Sequence, residues 1–226
     1  MKYDLFLFDA DDTLFNFKES EQRAFAKTLE QIGFQKSVAD VYQTYVLESE
    51  KLWQGVEQGI YSKNFLKTER FRRTFQFHQL DFSAEKAGQL YLEILPETCI
   101  LMEGALEICK DLSEHSTLGI ITNGFEIVQT KRLRGSLLAP YIKFMVVSEQ
   151  CGYIKPDVRF FEYTAQQVPG FDHQRTLVVG DRLETDILGA NLFGVDSCWL
   201  NPNGKSADQI QPRYEIQNLF QLRDLL

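Results

Sequence analysis

Short apolar runs that each halt at a polar residue constrain the fold of this 226-residue chain more than any other feature. Residues 3–8 stop at Asp9, and residues 118–121 stop at Thr122 and Asn123. Residues 144–147 precede Lys155 by a short loop, residues 177–179 stop at Gly180 and Asp181, and a fifth run at 197–200 ends in Asn-Pro. Runs this short, rich in Leu, Ile, Val and Phe and largely without alternation, describe strands covered on both faces, which is the situation of a parallel sheet flanked by helices.

Helical periodicity fills the gaps between these runs. Ala105, Leu106, Ile108, Cys109 and Leu112 share one face, as do Ile187, Leu188 and Leu192, and residues 157–168 fit a further helix. This alternation predicts an α/β fold: a doubly wound, Rossmann-like parallel sheet with helices on both sides. Ligands of such sheets bind beyond the carboxyl ends of the strands, where Asp9, Thr122, Lys155 and Asp181 would gather.

About a hundred residues separate the first run from the second, far more than the dozen or few dozen of an ordinary crossover. The stretch reads as helical: one segment up to Gln31 before Gly33, then residues 38–54, 62–77 and 83–95, the last ending before Pro96. We therefore expect a core domain built from residues 1–17 and 96–226 and an inserted helical cap, residues 18–95, lying over the strand ends. Residues 201–212 read as a polar loop before a final amphipathic helix carrying Leu219, Leu222 and Leu225.

Composition excludes several functions. The net charge of −8 opposes nucleic acid and acidic membrane surfaces. No segment has the length and apolarity of a membrane span, and the apolar cluster at the start is ended by Asp9, Asp11 and Asp12 without a cleavage site of signal-peptide type. Cys99, Cys109, Cys151 and Cys198 lie far apart, without metal-ligand spacing, and read as reduced thiols. A cytoplasmic protein is the expectation.

Residues 9–15, DADDTLF, place one carboxylate directly after a buried strand and a second two positions on. Two such groups can divide labour, one as nucleophile and the other as general acid and base, although a lone D-x-D is more often a solvated turn. The accompanying sequences change those odds. DADDTLF resembles the first motif of the haloacid dehalogenase superfamily, and TNG at 122–124, KP at 155–156 and GDRLETD at 180–186 resemble its other three, in order. The resemblance implies that Asp9 is the nucleophile, Asp11 the acid and base, Thr122 and Asn123 phosphate ligands, and Lys155 a neutralising charge. It further implies magnesium bound by Asp9, Asp11 through its backbone carbonyl, and Asp181, with Asp186 as a ligand or a supporting acid. An acid at position 11 favours phosphate ester hydrolysis over halide removal. Asp12 is left to turn chemistry.

Within the superfamily, FDADDTLF, GIITNGF, GDRLETDILG and CWLN resemble the pyrimidine 5′-nucleotidase branch. That implies a small-molecule substrate, a pyrimidine nucleoside monophosphate. Branches acting on sugar phosphates, phosphoglycolate or acylneuraminate phosphate share much of the pattern, as do phosphotransferases, and a phosphoryl-switch receiver is the non-enzyme alternative. Trp53, Tyr61, Phe65 and Phe71 are candidate stacking partners for a base, and Lys63, Lys67, Arg70, Arg72 and Arg73 form a basic cluster in the inserted segment. A monomer or homodimer is expected.

Overall fold

The computed structural model describes residues 2–207 and 209–225. It contains one sheet of six parallel strands in the order β3-β2-β1-β4-β5-β6. The first strand, β1 (Leu5–Phe8), occupies a central position with every residue buried. It is flanked by β2 (Thr117–Thr122), in register Phe8 with Ile120, and by β4 (Thr176–Gly180), in register Phe8 with Val179. Further out lie β3 (Phe144–Val147) on one side and β5 (Asp196–Leu200) and β6 (Tyr214–Ile216) on the other.

Alternate residues of β1 face opposite layers. Leu5 and Leu7 join Ile121, Val146 and Val178 beneath Phe160, Phe161 and Ala190, which come from α8 (Val158–Gln166) and α9 (Leu188–Phe193). Phe6 and Phe8 point the other way, with their rings stacked at 6.1 Å. The connecting helices are α5 (Ala105–Ser113), α6 (Glu126–Gly135) and the single turn α7 (Ser148–Cys151). In α5 the expected face is buried through Ala105, Ile108, Cys109 and Leu112.

The chain folds as two compact units, Met1–Phe17 with Ile100–Leu226, and Lys18–Cys99. The second unit holds α1 (Phe17–Gln31), α2 (Ala39–Glu57), α3 (Lys63–Phe77) and α4 (Ala84–Ile94). Ser62 and Ser83 start α3 and α4 by accepting the N–H groups of Phe65 and Lys86, each at 3.1 Å, which satisfies donors that have no partner inside the helix. Phe25, Tyr45, Phe71 and Tyr91 form the aromatic centre of this unit, and the buried Arg70 guanidinium lies 4.5 Å from the Tyr91 ring. A 3-10 turn, Leu95–Thr98, carries the unit past Pro96, since a proline at the start of a turn forfeits no hydrogen bond.

Several local expectations give way here. Leu192 is exposed, not buried with Ile187: the buried side of α9 is Gly189 and Ala190, and a residue two positions past Ala190 lies on the opposite side of a regular helix. The final amphipathic segment is a 3-10 helix, Leu219–Leu225, preceded by the short edge strand β6. Within the basic cluster, Arg70 is buried, and Arg72 and Arg73 pair with Glu69, Glu85 and Glu48, so these three cations are committed within the helical unit itself. Phe71 is core, while Phe65 is exposed and stacks on Tyr61 at 5.0 Å. All four thiols are free. Among the described residues no helix is long and apolar enough to cross a membrane.

Candidate active site

Parallel strands end together, so the residues following β1, β2 and β4 meet at one edge of the sheet. Asp9 continues β1 and donates its backbone N–H to Val179 at 2.8 Å, which keeps it in line with the sheet. The chain then turns at once: Leu14 and Phe15 both donate to the Ala10 carbonyl, and Asp12 adopts φ 58° while its carboxylate accepts the N–H of Phe17 at 3.0 Å. Asp12 is thus turn chemistry, with a short polar side chain in the left-handed region and a local acceptor role.

The Lys155 ammonium sits at the centre of the site. It donates to Asp9 Oδ1 at 2.5 Å, to Asp186 Oδ1 at 2.7 Å and to the Ile121 carbonyl at 2.8 Å, and is almost fully buried. Asn123 holds the main chain of Lys155 from both sides, donating to its carbonyl at 3.0 Å and accepting its N–H at 2.9 Å. Thr122, at the end of β2, accepts the N–H of Gly124 at 3.0 Å through its hydroxyl. The amide of Asn123 is therefore a brace for Lys155.

Asp186 comes from the π-helical turn, where its second oxygen accepts the Arg182 N–H at 3.1 Å. Gly180 makes room for it: a Cβ at that position would lie 2.3 Å from Asp186 Oδ2. Asp181 follows β4, its carbonyl fixed by the Trp199 indole N–H at 2.9 Å. One oxygen of its side chain, Oδ1, is buried without a hydrogen-bond partner.

Asp9, Asp181 and Asp186 bring carboxylate oxygens within 4.8 Å of one another. One ammonium does not balance three acids. Burial pushes the Asp181 carboxyl up to about 8, helped by the Asp9, Asp186 and Asp12 charges. Burial likewise raises Asp9 to about 7, against the pull of Lys155. For Lys155, burial would disfavour the charge, but the Asp186 and Asp9 carboxylates prevail and hold it above its ordinary value. A buried carboxylate oxygen with no donor, in a cluster short of positive charge and built of hard oxygen atoms, fits a divalent cation such as magnesium.

The haloacid dehalogenase-like hydrolase profile matches residues 3–194. The chain belongs to this family. Three relatives extend the match over the full length of this hydrolase. The pyrimidine 5′-nucleotidase PynA of Streptococcus pneumoniae is 36% identical, covering 100% of this chain and 96% of that protein. The pyrimidine 5′-nucleotidase YjjG of Escherichia coli is 32% identical, covering 100% and 99%. The crystal structure of the HAD-hydrolase YfnB of Bacillus subtilis, bound to magnesium, superposes with a TM-score of 0.93 at 33% identity, covering 100% and 99% of the two chains.

Two side chains of this hydrolase that no sequence motif singles out also reach the site. Gln129 and Arg132, both buried on α6, hold Asp11: Gln129 Nε2 donates to Asp11 Oδ2 at 2.7 Å and to the Thr122 hydroxyl at 3.3 Å, and Arg132 Nη1 donates to Asp11 Oδ1. A signal was available. Residues 128, 129 and 132 are the inward positions of α6, and two of the three are polar while Ile127 is exposed.

Proposed function

We propose that this chain hydrolyses phosphate monoesters through a phosphoryl group carried transiently on Asp9, with magnesium as cofactor and pyrimidine nucleoside 5′-monophosphates as substrates. The observation that carries the reading is the Asp9, Asp181 and Asp186 cluster around Lys155 at the strand ends. The substrate rests on the full-length similarity to two pyrimidine 5′-nucleotidases.

In this reading an Asp9 oxygen attacks phosphorus as the ester P–O bond breaks, and Asp11 gives its proton to the departing oxygen. Water then attacks the same phosphorus, Asp11 takes the water proton, and the bond to Asp9 breaks, restoring the carboxylate and releasing phosphate. Lys155 and the Thr122 hydroxyl stabilise charge on the transferring phosphoryl oxygens, and Asn123 contributes by holding Lys155 in place. Asp9, Asp181 and the Asp11 carbonyl would hold magnesium, with Asp186 beside them; the ion supplies the positive charge that lets an anionic carboxylate approach a phosphate dianion. The helical unit, residues 18–99, is the region to which we assign selection of the leaving group, with Trp53, Tyr61 and Phe65 as its aromatic candidates.

A phosphate-release panel with magnesium tests this. We expect turnover of UMP, dUMP and dTMP to exceed that of sugar phosphates and phosphoglycolate. Turnover of a sugar phosphate alone would transfer the assignment to that class.

A further inference from the structure

A buried arginine in a small core is costly unless its donors are matched, and Arg132 is not fully matched. Its side chain is completely buried, yet Nε and Nη2 meet no acceptor. The guanidinium packs on the rings of Phe15 and Phe17, at 5.3 and 5.7 Å, and its Nη1 goes to Asp11 Oδ1 and to Gln129 Oε1 at 3.3 Å. For stability alone an apolar side chain would serve this position at least as well, since replacing a buried ion pair by well-packed apolar groups is often neutral or stabilising. What an apolar side chain cannot do is fix the direction of a carboxylate.

We propose that Arg132 is a positioning residue for the reaction: its buried ion pair fixes Asp11, and Gln129 ties the same carboxylate to the Thr122 hydroxyl. The two Asp11 oxygens are held unequally. Oδ1 is bound to a permanently charged, fully buried guanidinium, whereas Oδ2 is bound to a neutral amide that has a second acceptor in Thr122. Oδ2 is therefore the oxygen able to exchange its partner, while Oδ1 stays anchored. Gly124 supports the arrangement independently, because a Cβ there would come within 2.3 Å of Gln129 Nε2 and push the amide away.

The inference rests on Asp11 being the proton donor, and the test separates the two claims. An alkyl ester such as a nucleoside monophosphate needs a proton on its leaving oxygen, whereas p-nitrophenyl phosphate releases a stable phenolate and needs none. Single-turnover phosphorylation rates are to be measured with both esters for the parent, Arg132→Met, Arg132→Lys, Asp11→Asn and the Asp11→Asn/Arg132→Met double variant.

Loss of a positioned acid costs about 100-fold, so we expect Arg132→Met to slow the alkyl ester step by about that factor and the aryl ester step by less than about threefold, with KM unchanged. Arg132→Lys, which keeps charge and most of the stem, should recover about tenfold of the alkyl rate and serves as the comparison should the methionine variant fail to fold. In the Asp11→Asn background Arg132→Met should add nothing, as two groups acting as one are not additive. Equal losses with both esters, or additive losses in the double variant, would overturn the role of Arg132 alone. Asp11→Asn slowing both esters equally would remove Asp11 as proton donor and this inference with it.

Discussion

Three carboxylates and one ammonium share the space beyond β1 and β4, so the protonation of Asp9, Asp181 and Lys155 depends on their neighbours. Asp181 and Asp9, raised to about 8 and about 7 chiefly by burial, bind protons in the folded chain that they would release in the unfolded chain at the same pH. Folded-state pKa values above the unfolded ones give stability that is present in acid and lost as pH rises through them. Metal-free protein should therefore melt at a lower temperature at pH 8 than at pH 5.5, and Asp181→Asn should remove much of that decline. On the proposed function, magnesium would compete with those protons, so the rise in Tm it produces should be larger at pH 8 than at pH 5.5 in the parent and nearly absent in Asp181→Asn. Thermal melts at the two pH values, with and without magnesium, measure all of this.

Legibility at this scale follows the same physics. The places of Asp9, Thr122 and Asp181 at the strand ends were readable because each directly follows or ends an apolar run, whereas the chemistry expected of them came from the four motifs taken together, since a lone D-x-D is more often a solvated turn. Gln129 and Arg132 were not read, because a helix is assumed to bury apolar residues, and polar ones at its inward positions look like an ordinary solvated face until the packing is seen. The brace between Asn123 and Lys155 links positions 32 residues apart through the fold, which no local pattern encodes.

At the scale of elements, the π-helical turn Leu183–Ile187 holds Asp186 where its carboxylate meets Lys155 and the Arg182 N–H. Gly180 is its necessary companion. Gly180→Ala puts a methyl group against a carboxylate pinned by Lys155 and the Arg182 N–H, and overpacking of this kind costs about 1–3 kcal/mol. We expect that loss in denaturant unfolding together with a large fall in turnover, whereas an exposed helix substitution of similar size would change neither. In the helical unit, Ser83→Ala removes the acceptor of the Lys86 N–H and should cost about 1 kcal/mol in unfolding free energy. Both serine caps stand where the sequence begins its helical segments, because capping is local. The edge strand β6 and the closing 3-10 helix escaped, since three residues at a sheet edge carry too little apolar pattern to distinguish a strand from a loop.

Across the whole molecule, one sheet carries the carboxylate and lysine cluster at its strand ends and one inserted run of helices forms a separate unit. The parallel sheet was legible because strands buried on both faces leave unbroken apolar runs, and the insertion because so long an interval between the first two strands cannot be a simple crossover. An acidic chain of net charge −8 that handles a phosphate must concentrate its positive charge, and here Lys155 and Arg132 are buried beside the carboxylates they serve while Arg72 and Arg73 pair with glutamates.

The most direct measurement is an acid quench during turnover of a phosphate monoester with magnesium, followed by mass spectrometry of the amino-terminal peptide. The mechanism proposed here predicts a phosphoryl group on Asp9, released by hydroxylamine and absent from Asp9→Asn, which should also be inactive. Steady turnover with no phosphoryl group on Asp9, or with one on a different residue, would contradict it.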